Sequence, residues 1–362
     1  MGKKILVIAG GGTGGHIYPG LSLATKLKEL DTSYEVHFVG ASGGLEESIV
    51  PKSGYPLHLL KVGRLHSSVG LWRRLKTLLG LPLCFLQALS LCLRLKPVAV
   101  IGIGGFASGP IVFVASLLGK FTAILEPNAY PGMANRYLAK WVSRCFIVFE
   151  ETKKFFPAQK VQVVGLPIRF PKHTREQYFD GSRPLRVLVF GGSQGAQAIN
   201  KFFAHWWRDH SLHNDKIEVI HQVGIKNLAQ WNEFYEENPK GRIQVKDYLH
   251  DMPEKIKWAD LCICRAGIGT VVELAMTQTP ALFIPLPTAA DNHQQKNAEV
   301  LVKREGGWMV HQDKVSPDFL DEFFENILND PKELQRRSRR LDEIDFSNSA
   351  QTILSHVLGD QL

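Results

Sequence analysis

His16 is the side chain whose setting most suggests acid–base chemistry. It closes Gly10-Gly11-Gly12-Thr13-Gly14-Gly15-His16, directly after the apolar run Ile5–Ala9. An imidazole at a strand-to-helix turn projects past the sheet edge, where the positive end of the helix dipole disfavours its cation. The neutral ring can then take a proton from a hydroxyl near neutral pH. A second group is Cys264-Arg265-Ala266-Gly267-Ile268-Gly269-Thr270 with Glu273. Amides of 267–270 at a helix start can hold a phosphate, and Glu273, three residues past Thr270, lies on the same face one turn deeper. A carboxylate there suits a ribose diol. A capping box, with Thr270 as cap and the acid at its third position, accounts for the same residues without a ligand. A third group, Asp291-Asn-His293-Gln294-Gln295-Lys-Asn297-Ala298, follows the strand-ending Pro285-Leu-Pro287 and suits either sugar hydroxyls or a solvated surface.

These groups need elements to position them, and the sequence supplies such an element twice. Val187–Phe190 runs into Gly191-Gly192-Ser193-Gln194-Gly195-Ala196, much as Ile5–Ala9 runs into the first glycine cluster. Apolar runs without alternation predict strands buried on both faces of a parallel sheet. Further strands are predicted at 35–39, 98–103, 121–125, 144–149 and 161–164, then at 217–222, 243–246, 261–264 and 281–284. Helical patterns lie between them, including 19–30 and 111–118. Strand–helix alternation of this kind predicts an α/β protein of two Rossmann-like, doubly wound parallel-sheet domains facing each other across a cleft. The first domain spans 1–165 and the second 166–341, with 165–184 reading as a linker. Polar residues at the ends of successive strands then share one rim: His16, Phe106, Ser108, Glu126 and Asn128. Ser108 and Asn128 serve equally well as helix caps.

Gly10-x-Gly12-x-x-Gly15 satisfies the dinucleotide pattern, but the second strand runs into Gly40-Ala41 where an acidic ribose clamp belongs, which argues against a nicotinamide cofactor. The chain has 362 residues, 22% charged and 44% hydrophobic, as expected of a globular protein. Its net charge of +8 favours an anionic partner, although the sequence carries no RNP-like strand, KH loop or zinc-finger spacing that would point to nucleic acid. Five cysteines without a C-x-x-C pair, and Met1 leading almost directly into a strand, suggest a reducing cytoplasmic setting without a signal peptide or bound metal. One segment is membrane-like. Leu71, Trp72, Arg73, Arg74, Leu75, Lys76, Leu78 and Leu79 interleave apolar and basic side chains, as an interfacial patch on anionic lipid would. The uncharged stretch 77–93 is short for a span, contains Pro82 and Gln87, and reads as a helix buried in the first domain.

Taken together, the motifs resemble the two-domain GT-B glycosyltransferases, and within them the family that adds N-acetylglucosamine in bacterial peptidoglycan synthesis (glycosyltransferase family 28). The resemblance runs through 10–20, 104–110, 126–128, 165–169, 191–196, 264–273 and 293–298, in order over almost the whole chain. It implies transfer of N-acetylglucosamine from UDP-N-acetylglucosamine to the muramyl 4-hydroxyl of lipid I, giving lipid II with inversion and no cofactor. It further implies a peripheral enzyme on the cytoplasmic face of the bacterial inner membrane, among the proteins of cell-wall synthesis and division. His16 is the implied base. On the donor, Arg169, Tyr248 and Leu249 lie near uracil, Glu273 on ribose, and Ser193, Gln194, Gly267, Ile268, Gly269 and Thr270 on diphosphate. Asn128 with Gln294 or Gln295 meets the sugar, with Thr13, Gly14, Gly15 and Arg265 completing the donor set. Gly12, Gly104, Gly105, Phe106, Ser108 and Glu126 would meet the acceptor. The resembled fold also returns its last helix, about 347–358 within 342–362, to the first domain. Two residues depart from the pattern: Pro127 stands where Gln is usual, and Phe106, which has no hydroxyl, where Tyr is common.

Overall fold

The computed structural model describes residues 3–61, 71–168, 171–192, 194–209 and 215–359, and for 71–79 only the backbone. The first sheet is built from β1 (Lys4–Gly10), β2 (Tyr34–Ala41), β3 (Leu57–Leu60), β4 (Ala99–Gly104), β5 (Phe121–Glu126), β6 (Arg144–Ile147) and β7 (Val161–Val163). Its order is β3-β2-β1-β4-β5-β6-β7, with every neighbouring pair parallel. Around it lie α1 (Gly14–Leu30), α2 (Glu46–Lys52), α3 (Leu71–Leu95), α4 (Ser108–Leu117) and α5 (Met133–Leu138). The second sheet contains β8 (Leu185–Phe190), β9 (Ile217–Gln222), β10 (Arg242–Lys246), β11 (Leu261–Cys264), β12 (Ala281–Phe283) and β13 (Gly307–Met309). Its order is β10-β9-β8-β11-β12-β13, again all parallel. Helices α6 (Gln197–Asp209), α7 (Leu228–Glu237), α8 (Met252–Trp258), α9 (Ile268–Met276), α10 (His293–Lys303), α11 (Pro317–Asn329) and α12 (Lys332–Leu341) accompany it, and α13 (Ser349–Leu358) ends the chain.

Both sheets are doubly wound, so each has a point where strand order reverses and its loops diverge. These points lie between β1 and β4, and between β8 and β11. The alternation-free strands are buried as their composition requires: Leu6, Val7, Ile8 and Ala9 are at most 1% exposed, and they feed apolar layers on opposite faces of the sheet. Under the second sheet, Trp206 stacks on Phe324 at 4.5 Å between ring centroids, beside the fully buried Trp207 and Phe203.

By contacts the chain divides into two units, 1–169 with 346–362, and 170–345. Ile353, Leu354, Val357 and Leu358 of α13 are buried among Leu23, Leu27 and Phe146 of the first unit. The tract 171–184 is stitched to the second unit. Arg175, 8% exposed, donates to the Ala259 carbonyl and Thr279 Oγ1, both at 2.8 Å. Arg183 grips Asp260 with two hydrogen bonds of 2.6 and 2.8 Å.

Two helices differ from their sequence reading. Helix α1 begins at Gly14, five residues before Pro19, because Thr13 accepts from the amides of His16 and Ile17 and closes a turn ahead of the proline. Proline would clash with the carbonyl four residues back, and here that residue is Gly15. Helix α3 is only half-buried: Cys84, Ala88, Leu91 and Cys92 face the core, while Leu83, Leu86 and Leu93 are exposed. Pro82, Phe85, Leu86, Phe113 and Leu117 line an apolar hollow of about 470 Å³ between α3 and α4. Among the described residues no helix is long and apolar enough to cross a membrane.

Candidate functional site

In the first unit the loops after β1 and β4 lie against each other at the switch point. A side chain on Gly105 would come within 2.7 Å of the Gly11 carbonyl oxygen, so this close approach is open only to glycine. Gly12, at φ +83°, turns the chain into α1 beside Gly14 and Gly15. His16 sits in the first turn of α1, half-buried. Its Nδ1 lies 3.0 Å from the Gly11 carbonyl oxygen and 3.4 Å from Thr13 Oγ1, and its Nε2 is over Gly104. A carbonyl can only accept, so the neutral ring is protonated on Nδ1 and carries its lone pair on Nε2. In this tautomer Nε2 is the nitrogen that can accept a proton. Phe106 is exposed at the same rim.

Ser108 and Glu126 are turned inward. Ser108 is fully buried and donates to the Gly105 carbonyl at 2.9 Å, which fixes the second loop. Glu126, 1% exposed, accepts from the amide and side chain of Asn128, from the Gly132 amide, and from Asn135 at 2.9 Å. Burial pushes its pKa up, and the four donated bonds pull the other way. Both oxygens are thus occupied in shaping the loop that carries Asn128 and the buried Pro127.

In the second unit three loops gather at the carboxyl edge of the sheet. The loop after β8 carries the exposed Gln194, and Gly195 packs on the Val223 carbonyl, which also accepts from Asn200. After β11, the chain enters α9 with Gly267 as N-cap and no side-chain cap bond. Thr270 is therefore the third helical residue and Glu273 the sixth, which removes the capping-box reading. Glu273 is half-buried, and its carboxylate has no hydrogen-bond or ion-pair partner among the described residues; burial alone raises its pKa from 4.5 to about 7. An acid held at that cost one turn beyond a glycine-rich helix start, where Gly267 caps α9 and Ile268, Gly269 and Thr270 begin it, is suited to a ligand with hydroxyl donors.

Arg265 is 9% exposed, and its guanidinium donates to the carbonyls of Ile284 and Pro285 and to Gln312, joining the ends of β11 and β12. The third loop is tied to the second through Asn297, whose amide donates to the Ala266 carbonyl at 3.4 Å. Asp291 and Asn292 both hold left-handed backbone, at φ 50° and 53°, immediately before α10. Strain of this kind collects at functional loops. Gln294 accepts from the Leu286 amide and Gln295 donates to Glu299, so both amides are oriented. Tyr248 is half-buried and packs edge-on to His250, while Leu249 is buried, leaving its backbone rather than its side chain for a base.

Arg169 and Ser193 lie outside the described residues, as do the side chains of Leu71, Trp72, Arg73, Arg74, Leu75, Lys76, Leu78 and Leu79. Sequence reasoning missed Glu46. This buried carboxylate accepts from the Gly12 amide at 2.8 Å, yet in sequence it is one of two acids opening a short helix. Among the described residues no group of three His, Cys, Asp or Glu could hold a metal ion.

Two parallel Rossmann-like sheets in one chain, each with glycine turns at its switch point, constitute the GT-B architecture. A crystal structure of MurG from Acinetobacter baumannii shares it with a TM-score of 0.80 and 27% identity, over 98% of this chain and 99% of that one. A UDP-GlcNAc 2-epimerase from Neisseria meningitidis, solved with UDP-GlcNAc, shares the fold at a TM-score of 0.66 and 11% identity, over 99% of this chain and all of that one. Residues 6–147 match the glycosyltransferase family 28 N-terminal domain, and residues 186–354 match the family's C-terminal domain. The UDP-N-acetylglucosamine–N-acetylmuramyl-(pentapeptide) pyrophosphoryl-undecaprenol N-acetylglucosamine transferase of Bdellovibrio bacteriovorus is 39% identical, over 98% of this chain and 99% of its own length. The enzyme of the same name from Myxococcus xanthus is 38% identical, over 92% and 87%. The chain belongs to glycosyltransferase family 28.

Proposed function

We propose that this enzyme transfers N-acetylglucosamine from UDP-N-acetylglucosamine to the muramyl 4-hydroxyl of lipid I, forming lipid II with inversion. Full-length similarity to transferases named for that donor and acceptor supports the substrates. Glu273 is the observation that carries the donor half: an acid raised by burial, beside an uncapped helix start, has a purpose once a ribose diol donates to it. The diphosphate then lies on the amides of Gly267–Thr270 and of the loop holding Ser193 and Gln194, with Arg169, Tyr248 and the Leu249 backbone toward uracil. Asn128 with Gln294 or Gln295 orients the sugar. In the first unit, Gly12, Gly104, Gly105 and Phe106 receive the acceptor diphosphate, Ser108 and Glu126 holding their loops in shape.

His16 Nε2 takes the proton of the muramyl 4-hydroxyl as that oxygen bonds to the anomeric carbon. The bond from that carbon to the diphosphate oxygen breaks, and its electron pair leaves with UDP. The dipole and first-turn amides of α9, with an Arg or Lys side chain, stabilise the departing charge. A single displacement, with the hydroxyl entering on the face opposite the departing diphosphate, gives inversion.

The enzyme would work peripherally on the cytoplasmic face of the membrane. The exposed Leu83 and Leu86 of α3 and Leu117 of α4, together with the basic and apolar sequence of 71–79, support an interfacial attachment. The deciding experiment is radiolabelled transfer from UDP-N-acetylglucosamine to a lipid I analogue, with UDP-glucose and UDP-galactose competing. Label in the lipid product, undiminished by the competitors, is the expected result. Conversion of the donor to its 2-epimer without lipid product would overturn the reading.

A further inference from the structure

We infer that Glu46 is a positioning residue for His16, acting through a single peptide group; this rests on His16 being the base. The Gly11–Gly12 peptide is held at both ends. Its N–H, from Gly12, donates to Glu46 Oε2 at 2.8 Å, and its carbonyl oxygen, from Gly11, lies 3.0 Å from His16 Nδ1. The carboxylate's other oxygen accepts from the Ala41 amide at 3.0 Å, which anchors it to the end of β2.

The slot for this carboxylate is built by glycines from two segments. A side chain on Gly11 or Gly44 would collide with the carboxylate oxygens, and one on Gly40 would meet Cγ at 2.5 Å. Glu46 is 1% exposed, and among the described residues no Lys or Arg is paired with it. A buried carboxylate is costly to keep unless donors stabilise it, and here the donors are backbone amides. Its neighbour Glu47 is turned away to the Gly43 amide, and Tyr18, on the same turn of α1, lies beside Gly14.

Hydrogen bonds in series polarise one another. A carboxylate accepting from the Gly12 N–H draws the peptide's charge toward Gly11 oxygen, which then accepts more strongly from His16 Nδ1. The ring is thereby held in one tautomer and one orientation, with Nε2 the more basic. A carboxylate placed directly on Nδ1 does the same work in hydrolase triads; here a peptide intervenes. The arrangement also explains why β2 can end in Gly40-Ala41: the acid comes from α2, and it serves the loop instead of a ribose.

The test is Glu46→Gln, which keeps the shape, removes the charge and turns an amide N–H₂ toward one of the two backbone donors. Ring ¹⁵N spectra of the whole enzyme, with His16 assigned from its loss in His16→Gln, should show Nδ1–H in the native chain and mixed tautomers in the variant. The kcat for lipid product should fall by about 10- to 100-fold, the scale for groups that orient a functional histidine. Affinity for UDP-N-acetylglucosamine should stay within twofold. A folded Glu46→Gln protein with a native ring spectrum and native kcat would overturn the inference. Should that variant not fold, the native spectrum still decides, since a ring protonated on Nε2 at pH 8 also overturns it. Full kcat in His16→Gln would instead sink the base assignment, a result distinct from either.

Discussion

Replacing Glu273 with Gln should weaken donor binding and strengthen the fold, and the second effect should depend on pH. Burial raises this carboxyl from 4.5 to about 7. Below pH 4.5 the folded and unfolded chains are both protonated there, so the group is neutral in its effect. As pH rises the unfolded chain ionises first, and stability is lost progressively until the folded carboxyl also ionises near pH 7. The difference corresponds to at most about 3 kcal/mol, reached above pH 7, and less to the extent that water reaches the half-buried group. Gln carries no such penalty. Thermal unfolding of the two proteins should therefore diverge as pH increases, the variant melting several degrees higher at pH 8 and only slightly higher at pH 5. Calorimetric titration with UDP-N-acetylglucosamine should show the opposite preference. Losing charge-assisted bonds from a diol costs about 1.5 to 3 kcal/mol, or roughly 10- to 150-fold in Kd. Near pH 7 the native enzyme should also release a fraction of a proton on binding, because hydroxyl donors favour the carboxylate, and the variant should release none from this site. Unchanged donor affinity together with melting curves that keep a constant gap across pH would refute the reasoning.

His16→Ala should lower kcat by about 10² to 10⁴-fold, the usual contribution of a general base, with UDP-N-acetylglucosamine affinity nearly unchanged; a loss confined to acceptor KM would assign the ring to binding instead. Asp260→Ala should destabilise the second unit by about 3 to 5 kcal/mol in denaturant titrations, because it strands Arg175 and Arg183, and refolded enzyme should keep its donor affinity. Replacing Leu83, Leu86 and Leu117 with Ser should reduce sedimentation with anionic vesicles without lowering the melting temperature, since all three are exposed; undiminished sedimentation would remove α3 and α4 from the attachment.

The sheets were legible because buried parallel strands need unbroken apolar runs, and β1, β4, β5, β8 and β11 have them. The two strands with no prediction, β3 and β13, are short edges: Leu57–Leu60 contains a histidine and Gly307–Met309 opens on glycine. The start of α1 was obscured by Pro19, which marks a first helical turn in most sequences but here follows a turn that Thr13 had already closed. In the candidate site, the glycine turns and His16 could be read from local pattern because a strand, a glycine cluster and a helix are contiguous. Glu46 could not, since its partner Gly12 is 34 residues away and only the fold brings them together. The same limit applies to Arg265, whose partners Ile284, Pro285 and Gln312 are 19 to 47 residues away, whereas those of Ser108 and Glu126 are local. The residue types of all three suggest a ligand, but their burial and hydrogen bonds commit them to holding loops.

The return of α13 to the first unit sets an order on synthesis. Domains emerging from the ribosome usually fold from the N-terminus onward, each once its last residue is clear. Here the first unit lacks part of its core until Ile353, Leu354, Val357 and Leu358 have been made, after the whole second unit has emerged. The N-terminal unit is thus the last to be completed, and the apolar surface around Leu23, Leu27 and Phe146 stays uncovered meanwhile. A premature stop that removes only the last helix would leave every residue of the second unit in place and still deprive the His16 loop of the helix, α1, that is fully supported only when α13 arrives.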